Sequence, residues 1–366
     1  MNEHEPMNGQ QPGTIRVLVV EDSRVVAEFL THVLQSDQRI RVVGVAYDGE
    51  EAVEAARELR PDVITMDIHM PKVDGFEATR RIMETSPAPI VIVSGTLNPG
   101  EVALNFRAVE AGALAVVARP SGIGHPNYHA SAKELVDTVK LMSEVRVVKR
   151  WPRNKFAALA HTVTSLAAEA TEPYKAQGRI QAVAIGASTG GPLALQTILA
   201  GLPQDFPLPV LIVQHMTPGF APGFVEWLGN SSRFAVRVAV AGEALLPGHA
   251  YVAPDDFHMG VRQDSRIMLA DAAKESGVRP SVSFLLRSVG KVFGPNVVGV
   301  LLTGMGRDGV EELRRLKDGG AITIAQDEKS SVVHGMPGEA IQIGAARHIL
   351  PPEAIAKTLT ALAIKL

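Results

Sequence analysis

The stretch "IQAVAIGASTGGPLAL" (180–195) runs from a short apolar segment through small residues into a second apolar pattern. Read as a buried strand turning into a helix, it makes the region α/β and leaves a serine, Ser188, at the turn. Such a turn has two chemical uses. A dinucleotide cradle needs G-x-G-x-x-G, with glycine at the second marked position so that backbone approaches a pyrophosphate; that position holds Ser188. A phosphate loop would end in Lys-Ser or Lys-Thr, which is missing here. The same letters satisfy G-x-S-x-G at 186–190, where small neighbours leave a serine hydroxyl accessible for attack.

A nucleophilic serine needs a base and an orienting acid. "VLIVQHM" (210–216) ends a strand pattern with His215, and "VVGVLLTGMGRDG" (297–309) supplies Asp308 among three glycines. All three residues are then expected on loops at one end of a parallel sheet, and triads are recognised by geometry rather than chain order. Each has a plainer reading. His215 could be an ordinary loop residue, and Asp308 a helix cap before "GVEELRRLK". Asp327, Asp255 and Asp256 are rival acids. Oxyanion donors are expected from backbone N–H groups at the start of the 190–200 helix or beside Met216. Met305 could line the site or fill a void, and Arg307 is read as an exposed arginine.

Working outward, the alternation continues on both sides. "LPVLIVQH", "AVRVAVA", "HAYVAP", "SRIMLA", "NVVGVLLTG" and "GAITIAQD" are strand candidates, and helices are expected after Gly190, Pro218, Pro280, Asp308 and His334, with an antiparallel hairpin at 250–270. Towards the N-terminus, "IRVLVV", "VVGVA", "DVITMD", "PIVIVS" and "ALAVVA" are five further strands. They alternate with "SRVVAEFLTHVLQ", "GEEAVEAARELR" and "GEVALNFRAVEAG", and another helix is expected around 130–146. The pattern predicts a parallel sheet covered on both faces. Its strand ends carry Glu21, Asp22, Asp67, Ser94 and Arg119, a set suited to Mg²⁺ and to forming an aspartyl phosphate on Asp67.

Composition bounds the rest. With 366 residues, 46% hydrophobic and 20% charged, two soluble domains and a connector are expected. A net charge of -3 gives no reason to expect nucleic acid, and the absence of cysteine excludes thiolate chemistry and cysteine-held metals. The polar start "MNEHEPMNGQQPGT" is no secretory signal, and no apolar run is long enough to insert in a membrane, so a cytoplasmic monomer is expected. The basic stretch with Lys149, Arg150, Arg153 and Lys155 reads as a solvated linker rather than a site for an acidic partner. Expected boundaries are a disordered tail at 1–14, a first domain at 15–146, a linker at 147–178 and a second domain at 179–366.

Two resemblances add to this reading. "VLVVEDSRVVAEFL", "DVITMDIHMPKVDGFEATRRI", "VIVSGT" and "GALAVVARP" resemble the receiver domain of two-component response regulators, a flavodoxin-like five-stranded parallel fold. The likeness implies that Asp67 accepts a phosphoryl group from a histidine kinase and that Glu21, Asp22 and Asp67 bind Mg²⁺. It implies too that Ser94 is the switch hydroxyl and that Arg119, where the family has lysine, contacts the phosphate. "IGASTGGP", "VLIVQHM", "LLTGMGRDG" and "AQDEKSSVVHGMPGEA" resemble the catalytic domain of chemotaxis-specific protein-glutamate methylesterases, here a larger doubly wound, Rossmann-like α/β domain.

That second resemblance implies a serine hydrolase with Ser188 as nucleophile, His215 as base and Asp308 as its partner, and no cofactor in this domain. Its substrates would be methylated glutamates, with deamidation of glutamines, on methyl-accepting chemoreceptors. An unphosphorylated receiver would obstruct the catalytic face. Asp255 and Ser283 stand where the family has glycine and aspartate, and both are expected to leave the triad untouched while altering the groove. The alternative is a catalytically quiet, receiver-controlled signalling adaptor.

Overall fold

The computed structural model describes residues 13–95, 98–145, 147 and 179–364. The expected tail up to residue 12, Thr96 and the linker over 148–178 with its four basic residues lie outside the described residues. The chain divides into two compact units.

In the first unit, β1 (Ile15–Val20), β2 (Ile40–Ala46), β3 (Val63–Met66), β4 (Ile90–Ser94) and β5 (Ala115–Ala118) form one sheet. Its order is β2-β1-β3-β4-β5 and every pairing is parallel. The connections are α1 (Arg24–Gln35), α2 (Gly49–Leu59), α3 (Gly75–Thr85) and α4 (Pro99–Ala111), with α5 (Tyr128–Ser143) following the last strand. The central strands are buried on both faces, which is why Val17 to Val20 and Val63 to Met66 read as unbroken apolar runs but for Thr65. Each such side chain contributes about 1.5–3 kcal/mol of burial. The order reverses between β1 and β3, so the carboxyl ends of those two strands open the crevice that holds Glu21 and Asp67. The helix α3 was not among the expected patterns. It starts at Asp74, whose carboxylate accepts the Glu77 N–H at 2.8 Å.

The second unit is built on β6 (Ala182–Ala187), β7 (Val210–Gln214), β8 (Ala235–Val238), β9 (His249–Val252), β12 (Val297–Leu301), β13 (Ile322–Gln326) and β14 (His348–Leu350). They form a seven-stranded parallel sheet in the order β14-β13-β12-β6-β7-β9-β8. The expected helices are α6 (Gly191–Ala200), α7 (Ala221–Ser232), α8 (Val282–Phe293), α9 (Val310–Asp318) and α10 (Met336–Gln342). The expected hairpin is shorter than 250–270. It pairs β10 (His258–Val261) with β11 (Ile267–Ala270), while the "HAYV" segment joins the main sheet as β9. "HMGV", the three-residue β14 and a closing helix α11 (Pro352–Ile364) escaped the sequence reading, the two strands because so few residues carry no periodic signal. The three central strands, β12, β6 and β7, all point their carboxyl ends the same way, and the candidate site sits there. No helix among the described residues is long and apolar enough to cross a membrane.

Candidate active site

The first unit gathers Glu21, Asp22 and Asp67 so that one carboxylate oxygen of each lies within 4.8 Å of the others. Glu21 and Asp67 are buried, whereas Asp22 is exposed. Burial pushes the Glu21 carboxyl up and the Asp67 charge adds to it, with Arg119 pulling the other way, and the balance stands at about 7. Burial also raises Asp67 above the ordinary aspartate range, against Arg119 and the Ile68 N–H, which donates to Asp67 Oδ1 at 2.9 Å. Three carboxylates with too little positive charge among them are the donor set a hard divalent cation takes, so these residues fit Mg²⁺. Arg119 is already engaged: its Nη2 donates to Glu21 Oε2 at 2.9 Å, while its backbone N–H donates to the Ser94 carbonyl at 2.7 Å.

In the second unit the strand pairing does the positioning. β6 and β7 run in register with Ala187 beside Gln214, so Ser188 and His215 are the next residues out of two neighbouring strands. The His215 N–H donates to the Ala187 carbonyl at 2.9 Å, and the Ser188 N–H donates across to the Thr303 carbonyl, beyond β12, at 3.0 Å. Gly304 follows. A Cβ there would meet the Ser188 Cβ at 2.5 Å, so only glycine lets the acid-bearing loop pass this close to the serine.

His215 Nε2 lies 3.0 Å from Asp308 Oδ2. Asp308 is 5% exposed and thoroughly satisfied. Oδ1 accepts the Ser281 hydroxyl at 2.8 Å and the Ser283 N–H at 3.0 Å, and Oδ2 also accepts the Val282 N–H at 2.6 Å. Burial by itself would raise this carboxyl; hydrogen bonds from His215 and Ser283 outweigh it and hold the group at about 2. Asp308 therefore caps a helix, but not the one that follows it in sequence. Gly309 is the N-cap of α9, whereas Asp308 sits on the first N–H groups of α8, where the helix dipole favours a negative charge.

The rival acids are occupied elsewhere. Asp327 bonds Ser330, Asp255 accepts the Gly219 N–H at 2.7 Å, and Asp256 faces Arg279 at 3.9 Å. The expectation that Ser283 leaves the triad untouched is corrected by its bond to Asp308, whereas the Asp255 bond goes to Gly219 and to no triad residue. Ser283 holds Asp308 through its backbone and accepts the Gly309 N–H on its hydroxyl at 2.7 Å, while Asp255 ties down the loop that carries His215. The helix-start donors expected for an oxyanion are also fewer. The Gly191 N–H is committed to the Ser188 carbonyl at 2.8 Å, and Pro192 has none. Met305 is 61% exposed, and Arg307 pairs with Glu339 and Glu311.

Sequence reasoning missed the α8 clamp. Its one local signal is "RPSVSF", a proline followed by a serine that caps α8 by accepting the Phe284 N–H at 3.3 Å. The Ser281 N–H in turn donates to Nδ1 of the buried His258 at 3.2 Å, and the His258 ring stacks on Phe284.

Residues 183–359 match the CheB methylesterase family model and residues 17–125 the response regulator receiver domain. The chain is 57% identical over 352 residues to protein-glutamate methylesterase/protein-glutamine glutaminase 4 of Geobacter metallireducens, covering 96% of this chain and 99% of that protein. It is 56% identical to the protein-glutamate methylesterase/protein-glutamine glutaminase of Nitrosospira multiformis, covering 95% and 97%. The crystal structure of the Thermotoga maritima CheB methylesterase catalytic domain aligns at 38% identity and a TM-score of 0.49, over 50% of this chain and 100% of that one.

Proposed function

The chain belongs to the protein-glutamate methylesterase/protein-glutamine glutaminase family, and from that premise we propose that it demethylates glutamate esters on chemoreceptor helices by serine catalysis under receiver control. The observation that carries the catalytic part is the 3.0 Å contact of a buried, ionised Asp308 with His215, which directly follows the strand next to the one leading into Ser188.

With Nε2 turned to Asp308, that nitrogen carries the hydrogen and Nδ1 is left as the base. Nδ1 takes the Ser188 proton as Oγ attacks the ester carbonyl, and Asp308 stabilises the imidazolium without accepting its proton. Collapse of the tetrahedral intermediate breaks the bond to the methoxy oxygen, and the imidazolium returns the proton so that methanol leaves. Water, deprotonated by the same nitrogen, cleaves the acyl-serine to glutamate and free Ser188. A glutamine amide follows the same path with ammonia as the leaving group.

In the receiver, Asp67 accepts the phosphoryl group from a histidine kinase, and Ser94 and Arg119 contact it. Glu21, Asp22 and Asp67 would hold Mg²⁺, which when bound offsets the repulsion between these carboxylates and an incoming phosphoryl oxygen. Phosphorylation at Asp67 raises esterase output.

Methanol release from methylated receptors tests the catalytic assignment. Wild type releases it, and S188A falls by a factor of about 10³ or more. Equal release from both removes Ser188 from the mechanism, and no release from a folded wild type favours the adaptor reading.

A further inference from the structure

Gln214 is the last residue of β7 and is 4% exposed. Its Nε2 donates to two main-chain carbonyls at once, that of Ser188 at 2.8 Å and that of His215 at 2.8 Å. Both amide hydrogens are thereby spent, one on the residue that attacks and one on the residue that takes the proton. Its Oε1 is buried and has no hydrogen-bond partner among the described residues. The amide packs against the turn into α6: a Cβ on Gly191 would come within 2.1 Å of Oε1, so glycine is needed there to admit it.

A buried side chain with an unpaired oxygen is a poor choice for packing alone, since an apolar residue of similar length would avoid that loss. Removing the amide, however, would strip a donor from both carbonyls and take away the side-chain tie between the Ser188 turn and the His215 loop. The β6–β7 ladder carries one bond past Gln214, from the His215 N–H to the Ala187 carbonyl, and that bond reaches neither the Ser188 carbonyl nor that of His215. We propose that Gln214 is a positioning residue for the hydrolysis, a side-chain strut that sets the spacing of Ser188 and His215. The inference rests on the serine mechanism above.

The test compares wild type, Q214M, Q214E and S188A as full chains, by methanol release from methylated receptor and by labelling of Ser188 with a fluorophosphonate. Q214M keeps length and loses both donors. Its kcat is expected to fall about 30-fold with KM unchanged, and the labelling rate to fall in parallel, because the loss is in the alignment of reacting groups rather than in substrate binding. Q214E places a carboxylate against two carbonyl oxygens. Its kcat relative to wild type, taken per folded molecule, is expected to rise as the pH falls and the introduced acid gains a proton to donate. This variant also keeps the test alive if Q214M does not fold.

A folded Q214M with kcat and labelling within threefold of wild type overturns the inference, as does a Q214E whose ratio to wild type is flat with pH. If S188A stays active, or wild type is labelled elsewhere, it is the underlying serine reading that fails.

Discussion

Both units put buried carboxylates at the carboxyl ends of parallel strands, yet burial has opposite outcomes in the two. Glu21 is pushed up to about 7 and Asp67 is raised, whereas Asp308, equally removed from water, is held at about 2. The difference lies in the donors. Asp308 receives the Ser281 hydroxyl, two N–H groups of α8 and His215. Glu21 has one guanidinium and a long 3.4 Å contact from the Ser23 N–H, with Asp67 adding repulsion. One pocket is electrostatically complete without any ligand. The other is short of positive charge, and that shortage suits it to an incoming cation.

Three experiments break or sharpen this contrast. The largest effect is expected of D308N, which keeps the shape and removes the charge. Its kcat for methanol release should fall by about 10³–10⁴, as for an acid that fixes a histidine tautomer. The same variant tests the low value of Asp308 through stability. Its folded value lies below the ordinary 3.8, so the stabilisation is complete above about pH 4 and is lost as the pH falls through 2. Denaturant unfolding between pH 5 and pH 2 should therefore cost wild type about 2 kcal/mol that D308N does not lose. An acid limb shared by both proteins would contradict the donor argument.

S281A removes one of the four donors and leaves the rest. An activity loss of about tenfold and a stability loss of about 1 kcal/mol are expected, measured by methanol release and by urea unfolding. A loss as large as that of D308N would mean that the Ser281 hydroxyl, rather than the group of donors, holds the acid.

The smallest effect belongs to the other pocket. In R119M the Glu21 carboxylate is no longer shared with a guanidinium, so Mg²⁺ should bind about fivefold more tightly by titration calorimetry, the scale of an ion pair open to water at one end. Weaker binding would show that Arg119 and the cation do not compete for Glu21.

The two pockets were also unequally legible in the sequence. Glu21, Asp67, Ser188 and His215 each end or directly follow an apolar run, and a buried parallel strand announces its own end. Asp308 stood beside three other acids, because which carboxylate reaches a histidine 93 positions away is decided by strand order. The Ser281–Ser283 clamp was hidden for the same reason. It acts across about 25 positions between loops that share no pattern, and one departure judged harmless to the triad, Ser283, is part of it. Even α3 was missed, though Asp74 marks its start.

Because Asp308 is gripped by the first turn of α8 rather than by its own glycine-rich segment, the hydrolysis proposed above would be tied to how well that turn stays wound. Helix ends fray before the bodies of proteins melt, so warming should silence turnover at temperatures where the seven-stranded sheet is still intact. On the proposed mechanism the anchor would act as a built-in thermal cut-out.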